Sequence, residues 1–431
     1  MGASTANGQQ PEEVGRWRSA WAFTLLYLSY VVAYICRRNY GFWLNGLLQR
    51  GDMSSTAAAG FGSTMELAYG AGKLAAGPLA DNLRPKALLT LTLLLAAVCN
   101  AGMFQSGIYA VDISLWALNG VVQAFIWPAL AMIFFNWFGT SKARGTLYSV
   151  LSTNQNVGSA ITPLLLTPLV GIYGWRVALW GPAVIGCVFS LCLWLFLSES
   201  PTSSTKPDTG EPKKETKSSS STDSYTDAVK KMISSPDIWF LGLGYALLTT
   251  VRVGMGDWSL VMLRSFRSTS EATSRDCLVA LEFGGFIGGL LAGIVSDVMF
   301  KGYRVPVMAL FSCLIAAPAL WGIFFGPEAL IPLFYAVFGF GAFGPHVLVG
   351  LLARELFPNV ASTAGTFAKS LAQVGGAFSG VPISLVTNRF GWHYAGIVWV
   401  GCSLLSGLTF AFIIPLERKR RLPVEQTKKA Q

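Results

Sequence analysis

Apolar runs of about 20 residues, separated by short polar segments rich in glycine, proline or charge, dominate the chain. Residues 87–98 and 185–197 are apolar on nearly every helical face, whereas the strands of a membrane β-barrel alternate apolar and polar positions. A helix of about 20 apolar residues is long enough to cross a bilayer. The pattern therefore predicts an all-α membrane protein that crosses the bilayer many times.

The polar segments between these runs predict twelve transmembrane helices, at residues 19–46, 56–80, 87–108, 112–136, 146–171, 176–198, 236–262, 273–298, 305–325, 328–353, 361–386 and 394–416. Residues 199–235 are rich in Ser, Thr, Lys and Pro and too polar to form a core. The predicted order is a cytoplasmic tail at 1–18, a six-helix bundle at 19–198, a flexible cytoplasmic linker at 199–235, a six-helix bundle at 236–416 and a basic cytoplasmic tail at 417–431.

Charge is scarce and unevenly placed. Only 13% of the residues are charged and 52% are apolar, while soluble domains are about a quarter charged. Of the 32 Lys and Arg residues, 21 lie on the side of the linker and both tails and six on the other side. This excess predicts that the linker and tails are cytoplasmic. The net charge of +10 therefore reflects membrane topology and not nucleic-acid binding.

The sequence contains no pattern that predicts a metal site, a cofactor site or an enzyme active site. The seven cysteines are scattered without a C-x-x-C pair, and there are only two histidines. We therefore expect no metal site and no cofactor. No nucleophile lies beside a base at a shared depth, so we expect a protein that is not an enzyme.

The two halves repeat. Four pairs of residues recur at offsets of 215–217 positions, namely Arg37 and Arg252, Asp81 and Asp297, Pro128 and Pro345, and Trp175 and Trp392. Chance matches would not share one offset. Parallel repeats related by a pseudo-twofold axis along the membrane normal are typical of transporters that bind substrate at the midplane between their halves.

One repeated segment lies at the predicted cytoplasmic ends of the second and eighth helices. A glycine precedes an aspartate by four residues and basic residues follow, as in Asp81 with Arg84 and Asp297 with Arg304. The glycine lets helices approach, and the aspartate can pair with a neighbouring helix in one conformation and release it in another. These gating segments resemble the loop signature of the major facilitator superfamily; the alternative is a simple charged helix end.

Five basic residues lie inside predicted spans, where an unpaired charge is costly. They are Arg37, Arg38, Lys73, Arg252 and Lys369. The repeat brings Arg37 and Arg252 to the same depth, and two guanidiniums can bind phosphate oxygens bidentately. Arg38 points about 100° away from Arg37 on a helix. We therefore predict a phosphate clamp of Arg37 and Arg252; the alternative is that each arginine only pairs with Glu282 or Asp257.

Tyrosines accompany these charges at helical spacing. Tyr30 and Tyr34 share a face with Arg37, and Tyr69 lies four residues before Lys73. Each set can therefore present a hydroxyl and a cation to one cavity. The alternatives are that the tyrosines only pack and that Lys73 pairs with a carboxylate or reaches an interface.

Three acidic residues, Glu66, Asp257 and Glu282, also lie in predicted spans. We predict that Asp257 and Glu282 are counter-ions that hold Arg252 when no phosphate is bound. Glu66 packs, pairs with Lys73 or contacts a substrate hydroxyl. His346 and Lys369 are weaker candidates for the cavity wall.

These segments resemble the organophosphate:phosphate antiporter family, within the major facilitator superfamily, over nearly the whole chain. The most specific matches are residues 37–40, 69–73, 127–128, 252 with 257–259, 281–285 and 341–350. The resemblance implies that Arg37 and Arg252 grip the phosphate. It implies that Lys73, which we add to the phosphate ligands, lines the cavity with Tyr30, Tyr34 and Tyr69. The expected cavity wall is completed by Gln155, Phe343, His346 and Lys369. Gln155 stands where the bacterial glycerol-3-phosphate carrier has a histidine, which removes support for a proton-linked role.

Residues 149–153, 280–282 and 337–340 further resemble the microsomal glucose-6-phosphate transporters of this family. The implied function is exchange of glucose 6-phosphate for inorganic phosphate by a monomer in a lipid membrane. The alternatives are a carrier for glycerol 3-phosphate, phosphoenolpyruvate or triose phosphate, and a sensor that binds without transport. Lys428 and Lys429 resemble a dilysine retrieval signal, which implies the endoplasmic reticulum membrane; a plastid, another organelle or the plasma membrane are the alternatives.

Overall fold

The computed structural model describes residues 10–80, 83–105, 107–139, 141, 144–201, 222–415 and 417–418. These residues are nearly all helical, and no strand occurs among them. The helices are α1 (Gln10–Arg38), α2 (Tyr40–Arg50), α3 (Ser55–Ala80), α4 (Pro85–Gly102), α5 (Tyr109–Gln123), α6 (Ile126–Phe138), α7 (Arg144–Ser152), α8 (Asn154–Tyr173), α9 (Val177–Phe196), α10 (Thr222–Ile233), α11 (Pro236–Ser265), α12 (Glu271–Val298), α13 (Val305–Leu310), α14 (Ala317–Phe325), α15 (Ile331–Leu356), α16 (Ala361–Phe378), α17 (Val381–Phe390) and α18 (Trp392–Ala411). A π-helical segment, Phe311–Ala316, joins α13 to α14. The all-α prediction is confirmed.

Eleven segments of the described chain are long and apolar enough to cross a membrane. Each overlaps one predicted span, and the remaining predicted span is helix α3. α3 has 26 residues, enough to cross a bilayer, but it contains Glu66, Lys73 and five glycines. A helix is therefore present at each of the twelve predicted positions, and α3 differs from the other eleven only in falling short of the apolar content that identifies a span.

Part of the predicted flexible linker is helical. In α10, Met232 is buried and Ala228 and Val229 pack beside it against a cluster that includes Leu356 and Phe357. Apolar residues at these three positions give the helix one apolar face, which explains why it forms. The prediction for 199–235 is therefore corrected at Thr222–Ile233. Helix α1 likewise begins at Gln10, inside the predicted tail.

Matching carboxylates fix the first turns of α4 and α13 at the linker side. Glu199, which follows α9, accepts a hydrogen bond from the Lys86 N–H at 3.2 Å. Glu417, which follows α18, accepts from the N–H groups of Arg304 at 2.9 Å and Val305 at 3.2 Å. The first N–H groups of a helix have no partner within it, and an anion there is favourable. The two carboxylates are 218 positions apart, as are Lys86 and Arg304, which agrees with the predicted repeat.

The two halves contact each other through α3 with α16 and α17, and also through α2 with α11 and α8 with α12. Ser63 Oγ donates to Ala377 O at 2.7 Å and accepts from the Val381 N–H at 3.0 Å. Gly380 permits this approach, since a Cβ there would lie 2.3 Å from Ser63 Oγ and 2.7 Å from Ala59 O. These contacts lie toward the start of α3, and α3 ends on the linker side. The face opposite the linker is therefore closed.

Candidate functional site

A break between α1 and α2 positions the two arginines of the first half. Asn39, which separates the helices, is fully buried and donates to Asn100 Oδ1 and to Ala178 O, each at 2.6 Å. Asn100 in turn donates to Cys36 O at 2.9 Å. Buried amides without partners are costly, so this network holds the end of α1 in one position. Arg37 and Arg38 are consequently presented to the interior from the last turn of α1.

Arg37, Glu66, Tyr69 and Lys73 form one compact group. Arg37 Nη2 lies 2.7 Å from Glu66 Oε1, and the two side chains are 12% and 6% exposed. The Tyr69 ring centroid lies 4.0 Å from the Arg37 guanidinium carbon and 4.2 Å from Lys73 Nζ. One aromatic ring therefore holds two cations by cation–π contact, and Glu66 supplies a negative charge between helices. Arg37 is not among the partners predicted for Glu66 from the sequence.

Gln373, on α16 of the second half, joins this group. Its side chain is buried, and with its oxygen oriented toward Lys73 the amide accepts from Lys73 Nζ at 3.1 Å and donates to Glu66 Oε2. The amide thus connects a cation and a carboxylate of the first half to the second half. Gln373 was not predicted, because an uncharged polar residue in a span rich in Ser, Thr, Gly and Ala gives little signal.

Arg252 belongs to a second group, on α11 and α15. Its guanidinium carbon lies 5.2 Å from the centroid of the Phe343 ring, and the Tyr245 hydroxyl is hydrogen-bonded to His346 Nδ1. The buried Nε of Arg252 has no hydrogen-bond partner in the described part of the chain. Arg37 and Arg252 thus lie in separate groups of aromatic and polar side chains, one in each half, and their joint binding of one phosphate stays a prediction.

The predicted counter-ions of Arg252 have other partners in the structure. Asp257 Oδ1 lies 3.5 Å from Arg38 Nη1, and Glu282 Oε2 accepts from Asn156 Nδ2 at 3.2 Å. Asp257 lies five residues beyond Arg252, which places it about 140° around the helix. The expected pairing with Arg252 is therefore corrected. Both carboxylates instead connect the second half to residues of the first.

The remaining cavity residues lie around these groups. Tyr34 donates to Gln155 Oε1 at 3.3 Å, and Tyr30 packs with its ring centroid 5.2 Å from that of Tyr34 and 5.1 Å from that of Trp127. Lys369, on α16, is surface-accessible and lies beside Gly350 of α15. Its place in the cavity wall stays a prediction.

The gating segments differ in how much of them the structure describes. Asp81 lies outside the described residues, and Arg84 is exposed just before α4. In the second half, Arg304 pairs with Asp297, donates to Ser296 Oγ at 2.8 Å and approaches Glu355 with an Nε–Oε1 distance of 3.4 Å. Arg304 thus joins the ends of α12 and α15, and the gating role of these segments stays a prediction.

Comparison with known proteins places this arrangement among membrane transporters. A model of the Major Facilitator Superfamily matches residues 26–380. A probable hexose phosphate transport protein of Chlamydia muridarum is 29% identical, over 93% of this chain and 92% of that protein. The membrane sensor protein UhpC of Escherichia coli is 25% identical, over 93% and 92%. The crystal structure of a mutant of the nucleoside transporter NupG is 13% identical and matches with a TM-score of 0.70, over 90% of this chain and 99% of that one. These relatives confirm the resemblance to transporters of the organophosphate:phosphate antiporter type and the expected fold.

Proposed function

The chain belongs to the Major Facilitator Superfamily, and on that premise we propose that it is an alternating-access antiporter that exchanges glucose 6-phosphate for inorganic phosphate. Members of this superfamily move solutes across membranes and are not enzymes, in agreement with the expectation from the sequence. The sugar, the exchange and the endoplasmic reticulum location belong to the proposal.

The observation that carries the proposal is the pair Arg37 and Arg252, one from each half, in a site that also receives Lys73. Arginine binds phosphate oxygens with two parallel N–H groups and stays charged in a dry site. Arg252 has a buried Nε without a partner, so a phosphate oxygen would supply the missing acceptor. An anion with about two charges matches a site in which cations outnumber the nearby carboxylates.

Ion pairs within the site suggest how binding is coupled to movement. Glu66 holds Arg37 at 2.7 Å, and Asp257 holds Arg38 at 3.5 Å across the halves. A phosphate that binds Arg37 competes with Glu66, and the released carboxylate weakens the link through Gln373 to α16. The empty carrier is thereby held in place, while the loaded carrier can change conformation. A ligand shifts such an equilibrium only by its differential affinity for the two states.

The proposed exchange moves almost no net charge across the membrane. The second pKa of a phosphate monoester lies near 6, so a sugar phosphate and inorganic phosphate both carry close to two negative charges. One-for-one exchange is then nearly electroneutral, which avoids a cost of about 2.3 kcal/mol per charge per 100 mV. The hydroxyls of Tyr30 and Tyr34 and the amide of Gln155 provide groups that can bind a polyol.

The test is uptake of labelled inorganic phosphate into proteoliposomes preloaded with glucose 6-phosphate, glycerol 3-phosphate, free glucose or buffer. We expect glucose 6-phosphate to drive uptake strongly and free glucose or buffer to drive none. If glycerol 3-phosphate drives uptake equally well, the sugar assignment fails and the exchange stands. Uptake that is indifferent to every preload would refute antiport.

A sensor that binds the same ester without transport is the second candidate, because UhpC, a membrane sensor, matches nearly the whole chain. Binding of labelled glucose 6-phosphate to purified protein, together with no counterflow in proteoliposomes of proven tightness, would identify the sensor. Counterflow with any organophosphate would exclude it.

A further inference from the structure

A cavity of about 260 Å³ lies between the halves at the face opposite the linker. The first half contributes the end of α2 and the end of α8, and the second half contributes Leu260, Arg264 and Glu271. At 1.5 Å per residue, Arg264 lies about 18 Å along α11 from Arg252. The cavity, which we term the outer cavity, is therefore distinct from the central site.

Arginines dominate the charge of the outer cavity. Arg50 lines it, and no carboxylate of the described residues lies within 4.0 Å of the Arg50 guanidinium. Arg264 pairs with Glu271 at 2.8 Å, with side chains 28% and 47% exposed. The Arg176 guanidinium carbon lies 5.0 Å from the ring centroid of Trp175, which also lines the cavity. Two cations, Arg50 and Arg264, and one carboxylate, Glu271, thus line the space, and Arg176 lies behind the Trp175 ring.

The outer cavity repeats the design of the central site. Arg50 and Arg264 are 214 positions apart, close to the 215 that separate Arg37 and Arg252. In both places each half supplies one arginine, and one arginine of the pair is held by a carboxylate. Neutral hydrogen-bonding groups are present as well, on Asn45, Gln49 and Thr167. The buried indole N–H of Trp175 has no acceptor among the described residues.

We propose that the outer cavity binds a phosphate dianion, either inorganic or as the terminal group of a phosphate ester, while the face opposite the linker is closed. Its volume lies just below the range of about 300–1,000 Å³ typical of ligand pockets, which suits a small anion. The anion displaces Glu271 from Arg264 and bridges to Arg50. The choice of phosphate among anions rests on the proposed function; the existence of an anion site here does not.

An anion in the outer cavity joins the two halves and so stabilises the conformation in which that face is closed. A ligand that prefers one conformation shifts the population toward it. Excess phosphate on that face therefore slows exchange by filling the outer cavity. This effect is separate from the binding of phosphate to the central site as a substrate.

The test measures moles of labelled inorganic phosphate bound per chain at saturation, by scintillation proximity on the full-length protein in detergent. We expect about two for the wild-type protein and about one for the Arg50→Gln, Arg264→Gln double variant. Arg275→Gln is the matched control, because Arg275 lies on the same face but pairs with Asp276 and does not line the cavity. If the double variant fails to fold, the single substitution of the exposed Arg50 serves in its place.

An outer variant that binds as much phosphate as the wild-type protein would overturn this proposal. A parallel Arg37→Gln variant separates it from the proposed function. If Arg37→Gln retains all bound phosphate while Arg50→Gln loses about half, the outer site stands and the central clamp fails. In the same assay, unlabelled glucose 6-phosphate is added to compete with the labelled phosphate. Displacement of both bound phosphates would show that the outer site accepts the ester as well.

Discussion

Replacing Glu66 by glutamine tests whether a carboxylate competes with phosphate for Arg37. The pair has an N–O distance of 2.7 Å and side chains only 12% and 6% exposed. A hydrogen bond between charged groups contributes about 1.5–3 kcal/mol, and each 1.4 kcal/mol changes affinity about tenfold. Phosphate must give up this interaction to bind Arg37 in the wild-type protein. We therefore expect Glu66→Gln to lower the Kd for inorganic phosphate by about 10- to 100-fold.

The same substitution leaves Arg37 without its anion in the empty protein, and breaking a buried pair is destabilising. We expect a lower melting temperature than wild type without phosphate, and a larger rise on adding phosphate. Thermal unfolding and labelled-phosphate binding on the same preparation measure both effects. Asp276→Asn is the control, because its pair with Arg275 is exposed and such pairs contribute about 0–1 kcal/mol. Phosphate binding that is unchanged or weaker in Glu66→Gln would refute the competition.

Arg252→Lys keeps the charge but loses the bidentate fork, so we expect about tenfold weaker phosphate binding with unchanged thermal unfolding; equal affinity would count against the clamp. Gln373→Leu removes the amide that joins Lys73 to the second half, and we expect a raised KM for phosphate exchange that Gln373→Asn does not restore, since the shorter side chain cannot reach both partners. Gly380→Ala places a Cβ against Ser63, and we expect spin-label distances between the outer ends of α3 and α17 to increase. An unchanged distance distribution would show that the halves accommodate the methyl group.

The positions of the helices along the chain could be predicted because the length of an apolar run is a local property of the sequence. Bounds such as 305–325 agree with the structure, in which Val305–Phe325 forms one span. α3, predicted at 56–80, is present at Ser55–Ala80 although it contains Glu66 and Lys73. α10 shows the limit of this reasoning, since its apolar face is stabilised by a cluster contributed by distant residues.

The sequence indicated candidate site residues but not their partners. Charge inside an apolar span identified Arg37, Arg252 and Lys73, because burial of a charge is costly wherever the helix lies. Which carboxylate pairs with which arginine depends on the rotation of each helix and on contacts between the halves. Neither can be predicted from the sequence of one helix. Asp257 therefore pairs with Arg38 instead of Arg252, and Gln373 could not be recognised.

The carboxylate caps of Glu199 and Glu417 fasten helices of the same half to each other. Each cap joins the end of the last long helix of a half to the first turn of its third membrane-spanning segment. We therefore expect both hydrogen-bond partners of each cap to move together in the proposed alternating-access cycle. The contacts that this cycle must break are those between the halves, such as Arg38 with Asp257 and Ser63 with Ala377.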